Sequence, residues 1–263
     1  MVLAKLSDSC KTRILTYKYS NGTTVKKSAD NKAKWFKVEP IKWRVLTNSY
    51  GGAKLLQAES ILTGGVPYYL SDDSRTIGGK TVYANNYKYS TIRAWLNGSY
   101  EADDTQAATH AGKGFLQAAF TSAQASAIKT TTVDNSAAST TDAGGNITQA
   151  TSYKCDDTSD KIFLLSEKEV TTSAYGFAAY DKYVGDGSGT TSSTRIRQTT
   201  DFAKATGAYQ NSTAGRGGWW WLRSPGYSGD GHAHDVSNYG YAFRNCIVSD
   251  RDGGVVPALS IAN

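Results

Sequence analysis

Apolar and polar side chains alternate along the N-terminal part of the chain with the period of a β-strand. Residues 35–40 and 41–46 both show this alternation, and residues 53–58 could return as a partner strand after a segment rich in Asn and Gly. A two-residue period places alternate side chains on opposite faces of a strand, and Asn and Gly are the residues that tight turns favour. We therefore predict a hairpin that turns within residues 48–52.

The middle of the chain changes to helical spacing. Residues 90–96 begin with a serine suited to capping a helix, and Asn97-Gly98 follows as a stop signal. We predict a short helix here, docked through Trp95. Residues 114–120 and 122–128 predict two further short helices.

Two polar stretches interrupt the second half of the chain. Residues 130–159 are rich in Thr, Ser, Ala, Asp and Gly, and residues 185–193 are similar, so we predict surface loops for both. Between them, residues 161–165 form a short apolar run typical of a buried strand. Residues 166–169 have the serine-to-glutamate spacing of a capping box and predict a helix start.

The remaining elements favour a mixed fold. Residues 200–205 predict a short helix, and residues 219–224 predict a strand in which at least two of three consecutive tryptophans belong to the core. Strands, short helices and strands again indicate α+β structure rather than a doubly wound α/β sheet. The length suits one domain, which we assign to residues 38–263, preceded by an N-terminal extension at residues 1–37.

The net charge of +6 invites a nucleic-acid interpretation, but the basic residues are spread along the chain. The mildly basic stretch at residues 26–37 has no arginine cluster and no RNA-binding aromatic signature. We interpret these residues as a solvated face and expect no nucleic-acid partner.

Membrane anchoring and cysteine chemistry are also weakly indicated. No apolar run is long enough to cross a bilayer, and residues 1–10 lack the apolar core of a signal peptide. An aspartate at position 8 argues against a lipoprotein anchor at Cys10. If the natural protein is exported, its signal is missing from this chain or it leaves the cell in a larger particle.

Cys10, Cys155 and Cys246 are odd in number and widely spaced, which indicates neither a disulfide framework nor a zinc knuckle.

The C-terminal residues 223–263 lack five amino-acid types. Lys, Glu, Gln, Met and Trp all occur earlier in the chain, but none occurs here. If the two adenines of an AAC or AAT codon are randomised, the codon can encode every amino acid except these five. The absence therefore predicts a segment whose side chains have been diversified.

The segment also divides into two sets of residues. One set is small or apolar, as expected of framework positions that pack or turn: Ala233, Val236, Gly240, Val248, Gly254, Val255, Pro257, Ala258 and Leu259. The residues between them are rich in Tyr, Ser, Asp, Asn and Gly, a composition typical of antibody-like binding surfaces. We predict that the ligand-binding residues are Tyr227, Ser228, Gly229, Asp230, Gly231, His232, His234, Asp235, Ser237, Asn238, Tyr239, Tyr241, Phe243, Arg244, Asn245, Cys246, Ser249, Asp250, Arg251 and Asp252.

Seven short motifs in a fixed order carry a resemblance that covers residues 38–259. They are PIKWRVL at residues 40–46, STIRAWLNG at 90–98, IKTTTV at 128–133, KIFLLSEKEV at 161–170, TDFAKATGAY at 200–209, WWWLRSPG at 219–226 and GVVPAL at 254–259. Together they resemble a bacterial family of C-type-lectin-like domains of unknown function. Some members are variable proteins of diversity-generating retroelements. Val256 departs from the family, which would place an arginine there, and this puts one local salt bridge in doubt.

The resemblance implies a C-type lectin-like fold that displays a variable region at about residues 223–259. It implies a binder of a protein or glycan ligand at a cell surface, with the protein itself on a cell surface or virion. We expect no cofactor and no enzymatic reaction. The sequence leaves open whether the protein forms a homo-oligomer. Tyr227, Tyr239, Tyr241 and Phe243 are the expected anchors, because aromatic side chains dominate interface hot spots; Arg244 and Arg251 add charge selectivity.

Other interpretations compete with a binder. His232 and His234 share a strand face with spacing suited to zinc, but both are predicted to vary, so we expect no metal. Calcium-dependent sugar binding would need carboxylates clustered near a proline, and none accompanies Pro225 or Pro257. An oxidase resembling formylglycine-generating enzymes would use Cys155 and Cys246, although no adjacent cation or histidine activates either of them. A structural decoration domain of a virion or cell surface is the remaining alternative.

Overall fold

The computed structural model of the protein describes residues 2–4, 34–104, 110–145, 150–179, 193–242 and 244–263. Within these residues the fold is a mixture of short helices and small sheets. The strands, in chain order, are β1 (Val2–Ala4), β2 (Lys34–Phe36), β3 (Trp43–Tyr50), β4 (Ala53–Ala58), β5 (Ser60–Ile61), β6 (Arg75–Ile77), β7 (Lys80–Val82), β8 (Thr131–Val133), β9 (Thr158–Asp160), β10 (Ile162–Phe163), β11 (Gln198–Thr199), β12 (Trp220–Pro225), β13 (His232–Val236), β14 (Arg244–Ile247) and β15 (Ala258–Ile261). The α-helices are α1 (Thr91–Asn97), α2 (Phe115–Ala119), α3 (Ser122–Ala127), α4 (Glu167–Val170) and α5 (Asp201–Thr206). Short 3-10 helices span Tyr87–Tyr89, Ala137–Thr140, Thr151–Tyr153, Ser173–Tyr175 and Ser193–Arg195.

Two antiparallel sheets organise the domain. The larger has the strand order β10-β15-β4-β3, and the smaller has the order β12-β13-β14. In the larger sheet, Leu259 of β15 lies opposite Ile162 on one side and Leu56 on the other. β15, which follows the predicted contact residues 227–253, therefore lies inside the sheet. Four two-stranded pairs accompany these sheets: β1-β2, β6-β7, β8-β9 and the parallel pair β5-β11.

Backbone hydrogen bonds of the framework residues connect the two sheets. The Trp221 amide donates to the Gly254 carbonyl at 3.0 Å, and the Gly254 amide donates to the Trp219 carbonyl at 2.9 Å. A few residues later, the Pro257 carbonyl accepts from the Ala58 amide at 3.0 Å. Residues 254–257 thus bridge β12 and β4, which explains why these positions are small and buried.

The predicted N-terminal hairpin is confirmed. β3 and β4 pair antiparallel, and the turn places Gly51 and Gly52 at φ values of 56° and 76°. Such left-handed positions favour glycine, since other side chains are strained there. The pairing shifts register at Thr47 and again before Tyr50, which the alternation alone did not reveal.

The predicted helices are confirmed, with bounds that differ by one or two residues. The Ser90 side chain accepts from the Arg93 amide, and Gly98 ends α1 in the left-handed conformation at φ 61°. At α4, the Ser166 amide donates to the Glu169 side chain at 2.8 Å and the Ser166 hydroxyl accepts from the Glu169 amide at 3.2 Å. This is the reciprocal pattern of a capping box.

The core forms where the apolar pattern predicts it. Trp219, Trp220 and Trp221 are all buried, and Tyr68 and Trp221 pack with ring centroids 5.9 Å apart. Residues 162–165 are completely buried, as the short apolar run indicates.

The prediction of a surface loop over residues 130–159 is wrong at its ends and in part of its interior. β8 and β9 pair with each other, and Ser139, Thr140 and Asp142 are buried. The two hydroxyl groups donate hydrogen bonds to nearby backbone carbonyls: Ser139 to Ser136 at 2.8 Å and Thr140 to Ala137 at 2.7 Å. A polar composition is therefore compatible with burial here.

The second predicted loop, residues 185–193, lies outside the described residues except for Ser193. In the N-terminal extension, β1 pairs with β2, and the Phe36 ring contacts Phe202 edge-on at 5.6 Å. Among the residues that the structure describes, no helix has the length and apolarity that a membrane span requires.

Candidate functional site

The three-stranded sheet carries most of the predicted binding segment. In the pairing of β13 with β14, Asp235 lies opposite Arg244, Ala233 opposite Cys246, and His234 opposite Asn245. Side chains directly opposite one another share a face, and neighbours along a strand alternate. The sheet therefore has an Arg244 face, with Asp235 and Cys246, and a His234 face, with Asn245.

On the Arg244 face, a guanidinium group is held by three neighbours. Arg244 Nε donates to Asp235 Oδ2 at 2.8 Å, Arg244 Nη2 donates to Cys246 Sγ at 2.9 Å, and the guanidinium lies 5.0 Å from the Trp219 ring centroid. Burial raises the pKa of Asp235 to about 6, although the charge of Arg244 opposes that change. Burial also raises the pKa of the Cys246 thiol. Arg244 and Cys246 are partly exposed, whereas Asp235 is buried.

On the His234 face, a buried histidine contacts a buried carboxyl group. His234 Nδ1 lies 3.4 Å from Glu167 Oε2, and neither side chain is exposed to solvent. Burial lowers the pKa of His234 to about 4 and raises the pKa of Glu167 well above its usual value. The imidazole is therefore neutral at neutral pH. The exposed Tyr227 ring covers His234 in an edge-on contact at 6.1 Å.

The tight connection between β13 and β14 presents an aromatic pair. The Ser237 amide donates to the Tyr241 carbonyl at 2.8 Å, and the Tyr241 amide donates to the Ser237 hydroxyl at 3.0 Å. Tyr241 is buried, and its ring stacks on the half-buried Tyr239 ring at 6.5 Å with an interplanar angle of 14°. Tyr239 thus has one ring face supported from within the domain.

The turn between β12 and β13 is held by a side chain from outside the segment. Asn85 Nδ2 donates to the carbonyls of Gly229 at 3.1 Å and His232 at 3.0 Å, and the Asn85 amide donates to the Asp230 carbonyl at 2.8 Å. Asn245 Oδ1 accepts from the Tyr227 amide at 2.8 Å. These bonds fix the backbone that displays Tyr227.

The loop after β14 contains half-buried polar residues above the tryptophans. Asp250 Oδ1 accepts from the Asp252 amide at 3.1 Å, and Arg251 Nη1 lies 3.5 Å from the Gly65 carbonyl. Gly253 is tightly enclosed, because a Cβ atom there would lie 2.4 Å from Trp221 Nε1. The Trp219 and Trp221 rings therefore pack against this loop.

Comparison with known proteins gives one match. The model of a domain family of unknown function (DUF6273) matches residues 51–263, which is most of the chain. The chain belongs to the DUF6273 family. No curated protein and no solved structure matches it.

The DUF6273 domain does not present all the predicted binding residues on one surface. Tyr227 and Ser228 are exposed. The half-buried residues are Gly229, Asp230, His232, Asn238, Tyr239, Arg244, Asn245, Cys246, Ser249, Asp250, Arg251 and Asp252. The buried residues are Gly231, His234, Asp235, Ser237 and Tyr241. Phe243 lies outside the described residues. The expectation of a solvent-facing side chain is wrong for His234, Asp235, Ser237 and Tyr241. Both faces of β13 are covered, because Glu167 lies against His234 and Arg244 pairs with Asp235. The tight connection after β13 encloses Ser237 and Tyr241.

All nine predicted framework residues of the DUF6273 domain are buried, as expected. Arg223, where the segment begins, is also buried: it pairs with Glu169 and donates to the Leu164 carbonyl at 2.8 Å. It belongs to the core and not to the surface.

Sequence reasoning missed three residues that contact the segment: Asn85, Glu167 and Arg216, whose guanidinium lies 5.2 Å from the centroid of the Tyr239 ring. Each precedes residues 223–263 in the sequence and comes close to them only in the folded chain. Only Glu167 carried a signal, as part of the capping-box motif, and that signal concerned the helix rather than His234.

The two described cysteines of the DUF6273 domain, Cys155 and Cys246, are not joined in a disulfide. Burial raises the pKa of the Cys155 thiol, as it does for Cys246. Cys10 lies outside the described residues. Within the described part of the chain, no group of three or more His, Cys, Asp or Glu residues is placed to hold a metal ion.

Proposed function

We propose that this protein is a ligand-binding protein whose recognition surface is built on the β12-β13-β14 sheet and is diversified from one variant to another. The observation that carries the proposal is the division of residues 223–259. Framework positions are buried, while most residues between them reach solvent at least in part. The segment also lacks the five amino-acid types that a randomised AAC or AAT codon cannot encode. A rigid frame with heterogeneous polar and aromatic side chains between its fixed points suits recognition of a macromolecule.

The contact residues follow from solvent exposure. Tyr227 and Tyr239 are the aromatic anchors, and Arg244 and Arg251 provide positive charge. Tyr241 supports Tyr239 instead of meeting the ligand. Aspartates and glycines of the two loops shape the rim.

The mixed α and β structure is compatible with a C-type lectin-like fold, which we propose for residues 38–263. A role in receptor recognition or adhesion follows from such a scaffold, with a protein or glycan of a cell surface as the ligand. We place the protein itself on a cell surface or virion.

Thiol chemistry supports a binder over the oxidase alternative. A nucleophilic cysteine needs a lowered pKa, whereas burial raises the pKa of both Cys155 and Cys246. The expectation of no neighbouring cation is wrong for Cys246, because the Arg244 guanidinium lies 2.9 Å from its Sγ and opposes the effect of burial. If a double substitution of these residues by serine leaves the biological activity of the protein unchanged, the oxidase alternative is contradicted.

Sequencing the gene in a growing population tests diversification. We expect changes confined to the first two positions of codons in residues 227–253, in a gene that lies near a reverse transcriptase and a near-copy carrying AAC or AAT. Changes spread evenly over the gene would contradict the proposal. Codons for the framework residues, such as Val236 and Val248, provide the internal control.

A further inference from the structure

Arg216 lies outside the predicted variable segment but contacts it. Its guanidinium lies 5.2 Å from the centroid of the Tyr239 ring. The backbone around it is fixed: the Gly217 amide donates to the Asn238 carbonyl at 2.8 Å, and Gln198 Nε2 donates to the Arg216 carbonyl at 2.9 Å. Arg216 is therefore held beside the connection between β13 and β14.

The charge of Arg216 has no acidic partner among the described residues. In the same part of the chain, Arg223 is paired with Glu169, and Arg244 is paired with Asp235. Arg216 is half-buried, and its contact is with an aromatic face instead of a carboxylate. Its N–H donors are available to a ligand, and the ring holds the guanidinium plane in place.

Tyr239 cannot move away easily from this arrangement. One face of its ring stacks on the buried Tyr241, and the guanidinium of Arg216 lies over the same ring. An arginine ordered in this way has already lost part of its side-chain freedom, so binding costs less entropy.

We propose that Arg216 and Tyr239 form a binding site for an acidic side chain of a protein ligand. This rests on the proposed function. The guanidinium donates two parallel N–H bonds to the carboxylate oxygens. The Tyr239 ring packs beside the aliphatic part of that acidic side chain.

The net charge favours an acidic partner of either kind, and exposed apolar residues favour a protein over a glycan. The net charge of +6 attracts acidic partners over a distance. Ile247, at the far end of β14, is 47% exposed, and Leu70 is exposed to the same extent. A protein surface can bury such aliphatic side chains, whereas the hydroxyl groups of a sugar gain little from them.

Because Arg216 precedes the segment, its charge is the same in every variant, whereas the side chain at position 239 beside it is one of those proposed to vary. Diversified side chains would then select the ligand, while Arg216 contributes a constant attraction to acidic surfaces. A ligand repertoire biased toward Asp and Glu follows from this.

A library of random peptides displayed on phage tests the inference with the full chain. It is selected in parallel on the wild-type protein, on Arg216→Gln and on Lys42→Gln, which removes one exposed charge beside the other sheet. We expect peptides selected on the wild type and on Lys42→Gln to be enriched in Asp and Glu. On Arg216→Gln that enrichment should fall to the level of the unselected library.

The strongest acidic peptide is then synthesised and its Kd measured. Arg216→Gln should weaken binding by about tenfold or more, the range for loss of a charge-assisted hydrogen bond. Arg216→Lys should be intermediate, because it keeps the charge and loses the fork. Lys42→Gln should change Kd less than about twofold.

The outcomes separate this inference from the proposed function. If the selected peptides show no acidic enrichment, or if the Kd is unchanged in Arg216→Gln, the role of Arg216 is overturned. The proposed binding surface is not affected by that result. If the wild type selects no peptides and instead binds acidic oligosaccharides on a glycan array, the protein ligand is wrong. If it binds neither peptides nor glycans, the proposed function fails as well.

Discussion

At the residue scale, position along β13 decides which side chains of the segment can meet a ligand. His234 and Asp235 are adjacent, point to opposite faces and are both buried. Asp235 is paired with Arg244, and His234 Nδ1 lies 3.4 Å from Glu167 Oε2; both neighbours come from other elements of the fold. Composition could identify the segment, but it could not assign these two residues to the interior.

Tyr239 and Tyr241 should respond differently to truncation. Tyr241→Ala removes a buried ring, so we expect a loss of about 3 kcal/mol in the free energy of unfolding. Tyr239→Ala removes a half-buried ring and should change that free energy by less than about 1 kcal/mol while abolishing ligand binding. Urea unfolding of both variants measures the difference. Equal losses of stability would show that Tyr239 is also part of the core.

His234 should make the protein sensitive to acid. The pKa of its imidazole is lowered in the folded state to about 4 from a usual value of 6.5. A lowered pKa means that the unfolded chain binds a proton first, so stability is complete above pH 6.5 and is lost as pH falls toward 4. The raised pKa values of Glu167 and Asp235 act in the opposite direction, since they favour the folded state as pH falls.

The comparison of His234→Gln with the wild type isolates the histidine. Between pH 7 and pH 4 the wild type should lose up to about 3 kcal/mol more stability than the variant. His232→Gln, a change at a half-buried neighbour on the same strand, serves as the control. Parallel stability curves for His234→Gln and the wild type would mean that the imidazole is accessible to protons in the folded protein.

At the scale of elements, local signals were sufficient where the determining contacts are local. Ser90 and Gly98 mark the ends of α1, Ser166 caps α4, and Gly51-Gly52 turns the first hairpin. The pairing of β8 with β9 was missed because it joins residues more than twenty positions apart and its polar side chains carry no apolar period. The β12-β13-β14 sheet was recognisable only as a strand with tryptophans followed by a heterogeneous segment.

Asn85 should stabilise the turn between β12 and β13 from outside the segment. Asn85→Ala removes both side-chain hydrogen bonds to the turn and leaves a buried gap, so we expect a loss of about 2 kcal/mol. Backbone amides of residues 229–232 should also exchange hydrogen faster. Asn48→Ala, at an exposed position, is the matched control. An effect no larger than that of the control would mean that the turn is stable without the Asn85 side chain.

At the scale of the whole molecule, the family match and the folded unit have different starting points. The match begins at residue 51, but β3 ends at Tyr50 and pairs along β4. Trp43 stacks on Phe120 at 6.2 Å, and Leu46 is buried. The folded unit therefore includes β3, which precedes the family match, and its start at residue 38 stays a prediction.

Two truncations distinguish these boundaries. A chain of residues 38–263 should unfold in one cooperative transition, with a midpoint close to that of the full chain. A chain of residues 51–263 exposes the edge of β4 and loses the packing of Trp43 and Leu46, so it should lack a sharp transition. Thermal unfolding followed by circular dichroism measures both. Cooperative unfolding of the shorter chain would show that β3 is dispensable.

In the diversification that we propose, the central position of β15 limits which new variants can fold. β15 lies between β10 and β4, and the chain reaches it only after passing through the variable segment. A variant whose segment cannot complete the turn and strands before β15 also leaves the larger sheet incomplete. Folding therefore acts as the first selection on each new sequence, and only variants that satisfy the scaffold are ever tested against a ligand.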